Sequence, residues 1–87
     1  MNNTVKGTPL GPRVLNVTPN DNYELLIVFD NGEQRKFDAK QLFGIKAFEP
    51  LKSLPFFKTV RVEFGTVSWG NDIDYCPDTL YMQSISA

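Results

Sequence analysis

The sequence holds no histidine. That removes the side chain that most often serves as a general base near neutral pH and most often ligates transition metals, so a nucleophile activated by histidine is excluded. Cysteine is nearly as scarce. Cys76 stands alone and cannot close a disulfide within the chain, whereas small secreted domains usually depend on such bonds. No apolar run approaches the roughly 18 residues of a membrane-spanning helix. The opening MNNTVKGTPLGP has neither the basic start nor the apolar core of a secretion signal. These absences predict a cytoplasmic protein that makes no use of a membrane. Neither sign of charge is in excess, since nine basic residues face ten acidic ones for a formal charge of -1. Lys36, Lys40, Lys46, Lys52, Lys58 and Arg61 are scattered, so no basic patch is visible and direct binding of nucleic acid is not expected. Gly44, Gly65 and Gly70 are isolated turn residues, and no glycine-rich phosphate loop exists. No cofactor and no enzymatic activity are expected.

What is present describes a small folded domain. Eighty-seven residues suit one domain, and 41% hydrophobic with 13% aromatic content is too rich for a disordered chain. Residues 1–12, full of Asn, Thr, Gly and Pro, read as a flexible N-terminal segment, and 13–87 as a single α+β domain. Arg13–Thr18 is β-rich and ends at Pro19. Tyr23–Phe29 (YELLIVF) carries apolar residues on both faces and reads as a central strand with something covering each side in part. Asn31-Gly32 predicts a type I′ hairpin turn, and the polar Glu33–Phe37 a return strand at a sheet edge. Asp38 with Gln41 has the spacing of a capping box for a short helix ending at Gly44. Pro50 should open a second helical turn, stopped by Pro55. Phe43, Phe48, Leu51, Leu54, Phe56 and Phe57 would form an apolar lid on one sheet face.

The densest stretch runs from Thr59 to Tyr81. Val60, Val62 and Phe64 alternate inward, Gly65-Thr66 fits a type II′ turn, and Val67 and Trp69 continue the apolar face. Pro77 and Asp78 suit the first turn of a final helix, with Leu80, Tyr81 and Ile85 at helical spacing. The architecture expected is α+β: a small antiparallel β-meander of about four or five strands with short helices, including a C-terminal helix packed on the sheet. Asp72, Asp74 and Asp78 offer a carboxylate pocket for a hard cation or acid–base chemistry, but turn and helix-cap roles account for the same residues. Cys76, at a helix start, is a corner filler or a free thiol with no base beside it. Trp69 and Tyr75 are either core or anchors for a partner. An interaction surface, if exposed, would draw on Trp69, Asn71, Asp72, Asp74, Tyr75, Phe48 and Phe56.

The order NVTPNDNY, strand, FDNGE, strand, FD (to Asp38), then FEPL (Phe48–Leu51), then EFGTVSWGNDIDYCPDTLY resembles the bacterial family called domain of unknown function 2442, from about Val14 to Tyr81. Asp74-Tyr75-Cys76 departs from that pattern by carrying extra residues before Pro77. The resemblance implies a small α+β domain without an assigned activity. In some relatives a helix-turn-helix domain follows; others stand beside partners of toxin–antitoxin type. This chain stops at Ala87, so no such DNA-binding domain is expected here. Three functions are therefore weighed: a non-enzymatic module that binds a protein partner or forms a homo-oligomer, an antitoxin-like or regulatory accessory acting with a partner, and a carboxylate metal site or enzyme.

Overall fold

Alternation in the YELLIVF run organises the larger of two sheets: Leu25, Ile27 and Phe29 are buried on one side, while Leu26 faces solvent on the other. The structure, a computed structural model, describes residues 11–70 and 72–87. In chain order it has β1 (Val14–Pro19), β2 (Glu24–Phe29), β3 (Gln34–Asp38), 3₁₀ turns at Ala39–Leu42 and Lys46–Lys52, and α1 (Leu54–Phe57). There follow β4 (Arg61–Glu63), β5 (Thr66–Ser68), β6 (Asp74–Tyr75), α2 (Pro77–Gln83) and β7 (Ile85–Ser86). This is an antiparallel α+β fold with a C-terminal helix, as the sequence implies. The strands divide into two sheets, ordered β1-β2-β3-β7 and β4-β5-β6. The division arises because the helical stretch 39–57 carries the chain across the core before β4 begins.

Three turns differ from expectation. Asp30 joins Asn31 and Gly32 in the first hairpin loop, and of these Gly32 alone has positive φ (89°). The Gly32 N–H donates to the Phe29 carbonyl, and Phe29 N–H to the Glu33 carbonyl, the pattern of a three-residue loop with a glycine bulge rather than a type I′ turn. In the second hairpin, Glu63 pairs with Thr66, so Phe64 and Gly65 form the loop, both with positive φ (52° and 77°). Phe64 is consequently 90% exposed, not inward. Tyr23 also has positive φ (62°) and belongs to the turn before β2. There Asn20 holds the backbone, its Oδ1 accepting from the N–H groups of Asn22 and Glu24 at 2.9 and 3.0 Å.

The helical stretch is tighter than expected. Asp38 Oδ1 accepts from the Lys40 N–H at 3.0 Å, and a 3₁₀ turn follows instead of an α-helix. Gly44 lacks the positive φ of a helix-ending glycine. Pro55 begins α1 rather than stopping a helix, while Pro50 lies inside the preceding 3₁₀ turn. At the other end Pro77 and Asp78 open α2 as predicted, but the helix stops at Gln83. Ser84 redirects the chain, and Ile85 pairs with Lys36 in β7 instead of extending the helix. That pairing makes β3 an interior strand. Arg35 fastens it: Nε donates to Ser84 Oγ at 2.6 Å, Nη2 to the Ser84 carbonyl at 2.7 Å, and Nη1 meets Glu33 Oε1 at 2.8 Å. The guanidinium also lies 4.5 Å from the Tyr81 ring centroid.

One core serves both sheets. Val14, Leu25, Ile27, Phe29 and Phe37 from the larger sheet meet Val67 and Trp69 from the smaller, with Leu42, Leu51, Phe57 and Leu80 from the helical elements. The phenylalanine lid is built as expected: Phe57 and Leu51 are buried, and Phe43, Phe48, Leu54 and Phe56 are half-buried against them. A second link joins the sheets at their rim, where Val14 N–H donates to the Gly65 carbonyl at 2.8 Å and Arg13 Nη2 to the Phe64 carbonyl at 2.7 Å. Of the expected flexible segment 1–12, residues 1–10 lie outside the described residues. Gly11 is tied down, its N–H donating to Asp78 Oδ1 at 3.0 Å.

Candidate interaction surface

The residues singled out in the sequence do not converge. Trp69 is fully buried, and its indole N–H donates to the Phe57 carbonyl at 2.9 Å. It belongs to the core and offers nothing to a partner. Phe56 packs beside Gly70 within the lid, and Phe48 meets Tyr75 edge-to-face with ring centroids 5.6 Å apart. Tyr75 also packs on Phe37, and its hydroxyl donates to Gln83 Oε1 at 2.6 Å. Burial raises the Tyr75 phenol, partly offset by that bond. Asp72 and Asp74 are exposed, Asp72 with φ of 59°. Asn71 lies outside the described residues.

The carboxylates have structural work. Asp78 accepts from Gly11, and Asp74 sits on β6 opposite Ser68. No group of three or more carboxylate or thiol side chains is placed to share a metal ion among the described residues. Cys76 is exposed at the start of α2, and hydrogen bonds with the backbone of Thr79 and then Asp78 hold its thiol below the usual range. Glu33 is a centre of side-chain hydrogen bonding. It accepts from the Tyr81 hydroxyl, from Arg35 Nη1 and from Asn31 Nδ2. The Tyr81 bond first, then Arg35, lower the Glu33 carboxyl; the same bond raises the Tyr81 phenol. This group clasps the C-terminal segment to the first hairpin.

The surface that stands open is the outer face of the larger sheet. Register places Thr18, Leu26, Lys36 and Ile85 in one cross-strand row, with Asn16, Val28 and Gln34 in the next. Leu26 is 43% and Ile85 61% exposed. A shallow groove of about 110 Å³ runs along this face, lined by Asn16, Thr18, Leu26, Ile27, Val28, Gln34, Arg35 and Ala87. Arg35 brings a charge to this lining, and it is paired with Glu33. The charged pair Lys36 and Glu24, 3.8 Å apart, lies towards one end beside a second, more polar groove of about 270 Å³ that includes Asp38 and Gln41. Two further exposed apolar residues sit near the rim joining the sheets: Phe64, and Leu15, which is 63% exposed at the irregularity in β1.

Leu26 was legible as the off-face residue of an apolar strand, but partial cover was expected over it. That cover would have to come from the helical elements, and these all pack on the opposite face. Ile85 escaped because SISA has no strand periodicity, and Phe64 because a one-residue shift of the turn inverts its direction.

A protein-family model described as "Protein of unknown function (DUF2442)" matches residues 14–86. No curated protein and no solved structure matches the chain.

Proposed function

Because the chain belongs to the DUF2442 family, whose description assigns no activity, we propose a function from its surface: a non-enzymatic interaction module that receives a protein partner on the outer face of the larger sheet. The observation that carries this reading is the exposure of Leu26 and Ile85 on that face, either side of Lys36, with Leu26 lining a shallow groove. Apolar surface gathered on one face and bounded by charge is the pattern of a contact site. Strand addition fits less well, because the edges are guarded. β1 is bulged near Leu15 and ends in Pro19, which has no N–H to donate, and β7 and β6 are two residues each. The lid of phenylalanines is committed to the core and leaves the outer face as the better docking surface.

A direct nucleic-acid role for the antitoxin-like alternative gains nothing from the surface. Arg35, Lys36, Lys40, Lys58 and Arg61 each lie beside a carboxylate, so their charge is largely answered within the chain. The test is a photo-crosslinking residue placed at position 26 in living cells, with the same probe at exposed Lys46 as control. A discrete adduct from position 26 alone is expected. Indistinguishable adduct patterns from the two positions would overturn the reading.

A further inference from the structure

Asn31 is the one asparagine of the sequence followed by glycine. Glycine puts no side chain in the way of its own nitrogen, so that nitrogen can reach the carboxamide carbon of the residue before it. Asparagine is chemically labile for this reason. Both residues are exposed at the tip of the first hairpin. Beyond the chain neighbours, no atom of the described residues lies within 4 Å of the place a Gly32 Cβ would take. The reacting groups are nevertheless held in other bonds. Gly32 N–H donates to the Phe29 carbonyl at 3.0 Å. Glu33 binds the Asn31 carboxamide at both ends: Asn31 Nδ2 donates to Glu33 Oε2 at 2.8 Å, and Asn31 Oδ1 accepts from the Glu33 N–H at 3.0 Å. Reaction therefore waits on opening of the loop.

What Asn31 touches gives the site its consequence. Glu33 Oε2, which accepts from Asn31, also accepts from the Tyr81 hydroxyl, and Glu33 Oε1 meets Arg35. Arg35 in turn holds Ser84 at the entry to β7. Loss of the Asn31 carboxamide takes a donor from Glu33 and leaves a carboxylate in its place. Two carboxylates so close do not both stay charged and in position, so Glu33 either turns away or takes up a proton. Its bonds to Tyr81 and Arg35 weaken in both cases. An isoaspartate at 31 adds a backbone methylene to a three-residue loop, which breaks the spacing between the Gly32 N–H and the Phe29 carbonyl.

We infer that Asn31 is a site of spontaneous deamidation, restrained by Glu33 in the intact hairpin, and that its conversion releases β7 from β3. The Gly32 nitrogen bonds to Asn31 Cγ and gives up its proton. The Cγ–Nδ2 bond breaks, and Nδ2 leaves with that proton as ammonia. Water then opens the cyclic imide at one carbonyl or the other, giving aspartate or isoaspartate. No oxidant, reductant or second protein is consumed. The change is irreversible and adds one negative charge, so it marks the age of a molecule and acts on the C-terminal strand.

Peptide mass mapping of the purified protein, aged at mildly alkaline pH, tests the chemistry. Asn31 is expected to convert before Asn16, Asn20 and Asn22, and Glu33→Ala to speed that conversion about tenfold, the worth of a hydrogen bond to a charged group. Hydrogen exchange tests the consequence. The aged form, separated by its added charge, and Asn31→Asp are both expected to exchange the amides of residues 85–87 about tenfold faster than the native chain, with β2 unchanged. Conversion of Asn31 no faster than that of the other three overturns the site. Native exchange at 85–87 in both the aged form and Asn31→Asp overturns the release of β7. An unchanged rate in Glu33→Ala overturns the restraint assigned to Glu33; where that variant does not fold, the native chain and Asn31→Asp decide the inference on their own.

Discussion

Phe64 and Trp69, five positions apart, show opposite uses of an aromatic ring. Trp69 spends its ring and its N–H on the interior. Trp69→Phe should lower stability by about 2–3 kcal/mol in urea titration, because the ring shrinks and the Phe57 carbonyl loses its buried donor. Phe64→Asn should act in the other direction, raising stability by about 0.5–1 kcal/mol in the same titration, since the positive φ persists but becomes tolerable. The core role of Trp69 was legible from its place in the Val67 face. The exposure of Phe64 was not, because alternation alone does not locate a turn. GT and FG are both workable loops in this stretch, and the pairing of Glu63 with Thr66 decides between them.

At the scale of elements, strands and helix starts follow local chemistry, and their partners do not. Pro77 opens α2 where its fixed φ and missing N–H suit a first turn, and β2 shows its inner face as a period of two. β7 is different: Ile85 and Ser86 are held on β3 by Arg35, which donates to Ser84, and by Glu33, which accepts from both Arg35 and Tyr81. A long-range clasp of this kind leaves no local pattern, so the polar β3 reads as an edge until β7 is seen on it. The clasp should respond to acid. The Glu33 carboxyl is lowered by Tyr81 and Arg35, so its contribution is full above the ordinary carboxylate range and is lost as pH falls below about 4 through the lowered value. Amide exchange at residues 84–87 should accelerate over that range relative to β2. Glu33→Gln should show fast exchange at neutral pH already and little further change in acid.

For the molecule as a whole, the α+β class was legible, while the split into two sheets was not, because it depends on where the helical stretch 39–57 delivers the chain. The candidate site was the least legible part. Buried and exposed aromatics look alike in sequence, and the open face is defined by what fails to pack on it. Two sheets with one core must nonetheless melt together. Trp69 fluorescence, reporting the smaller sheet, and far-UV circular dichroism, dominated by the larger, should give coincident urea transitions. Separate midpoints would mean that the sheets are independent units.

The bracing of the Phe64 turn by Arg13 has a consequence in time. The bond from Arg13 to Phe64 spans 51 residues of chain, whereas each hairpin closes on its own within a few. Long loops close late, so hairpins and core form before the sheets are laced at their rim. A contact made after the rate-limiting step governs departure from the native state, not arrival. Arg13→Met should leave the refolding limb of a chevron unchanged and raise the unfolding limb, giving a protein that assembles at the normal rate and comes apart sooner.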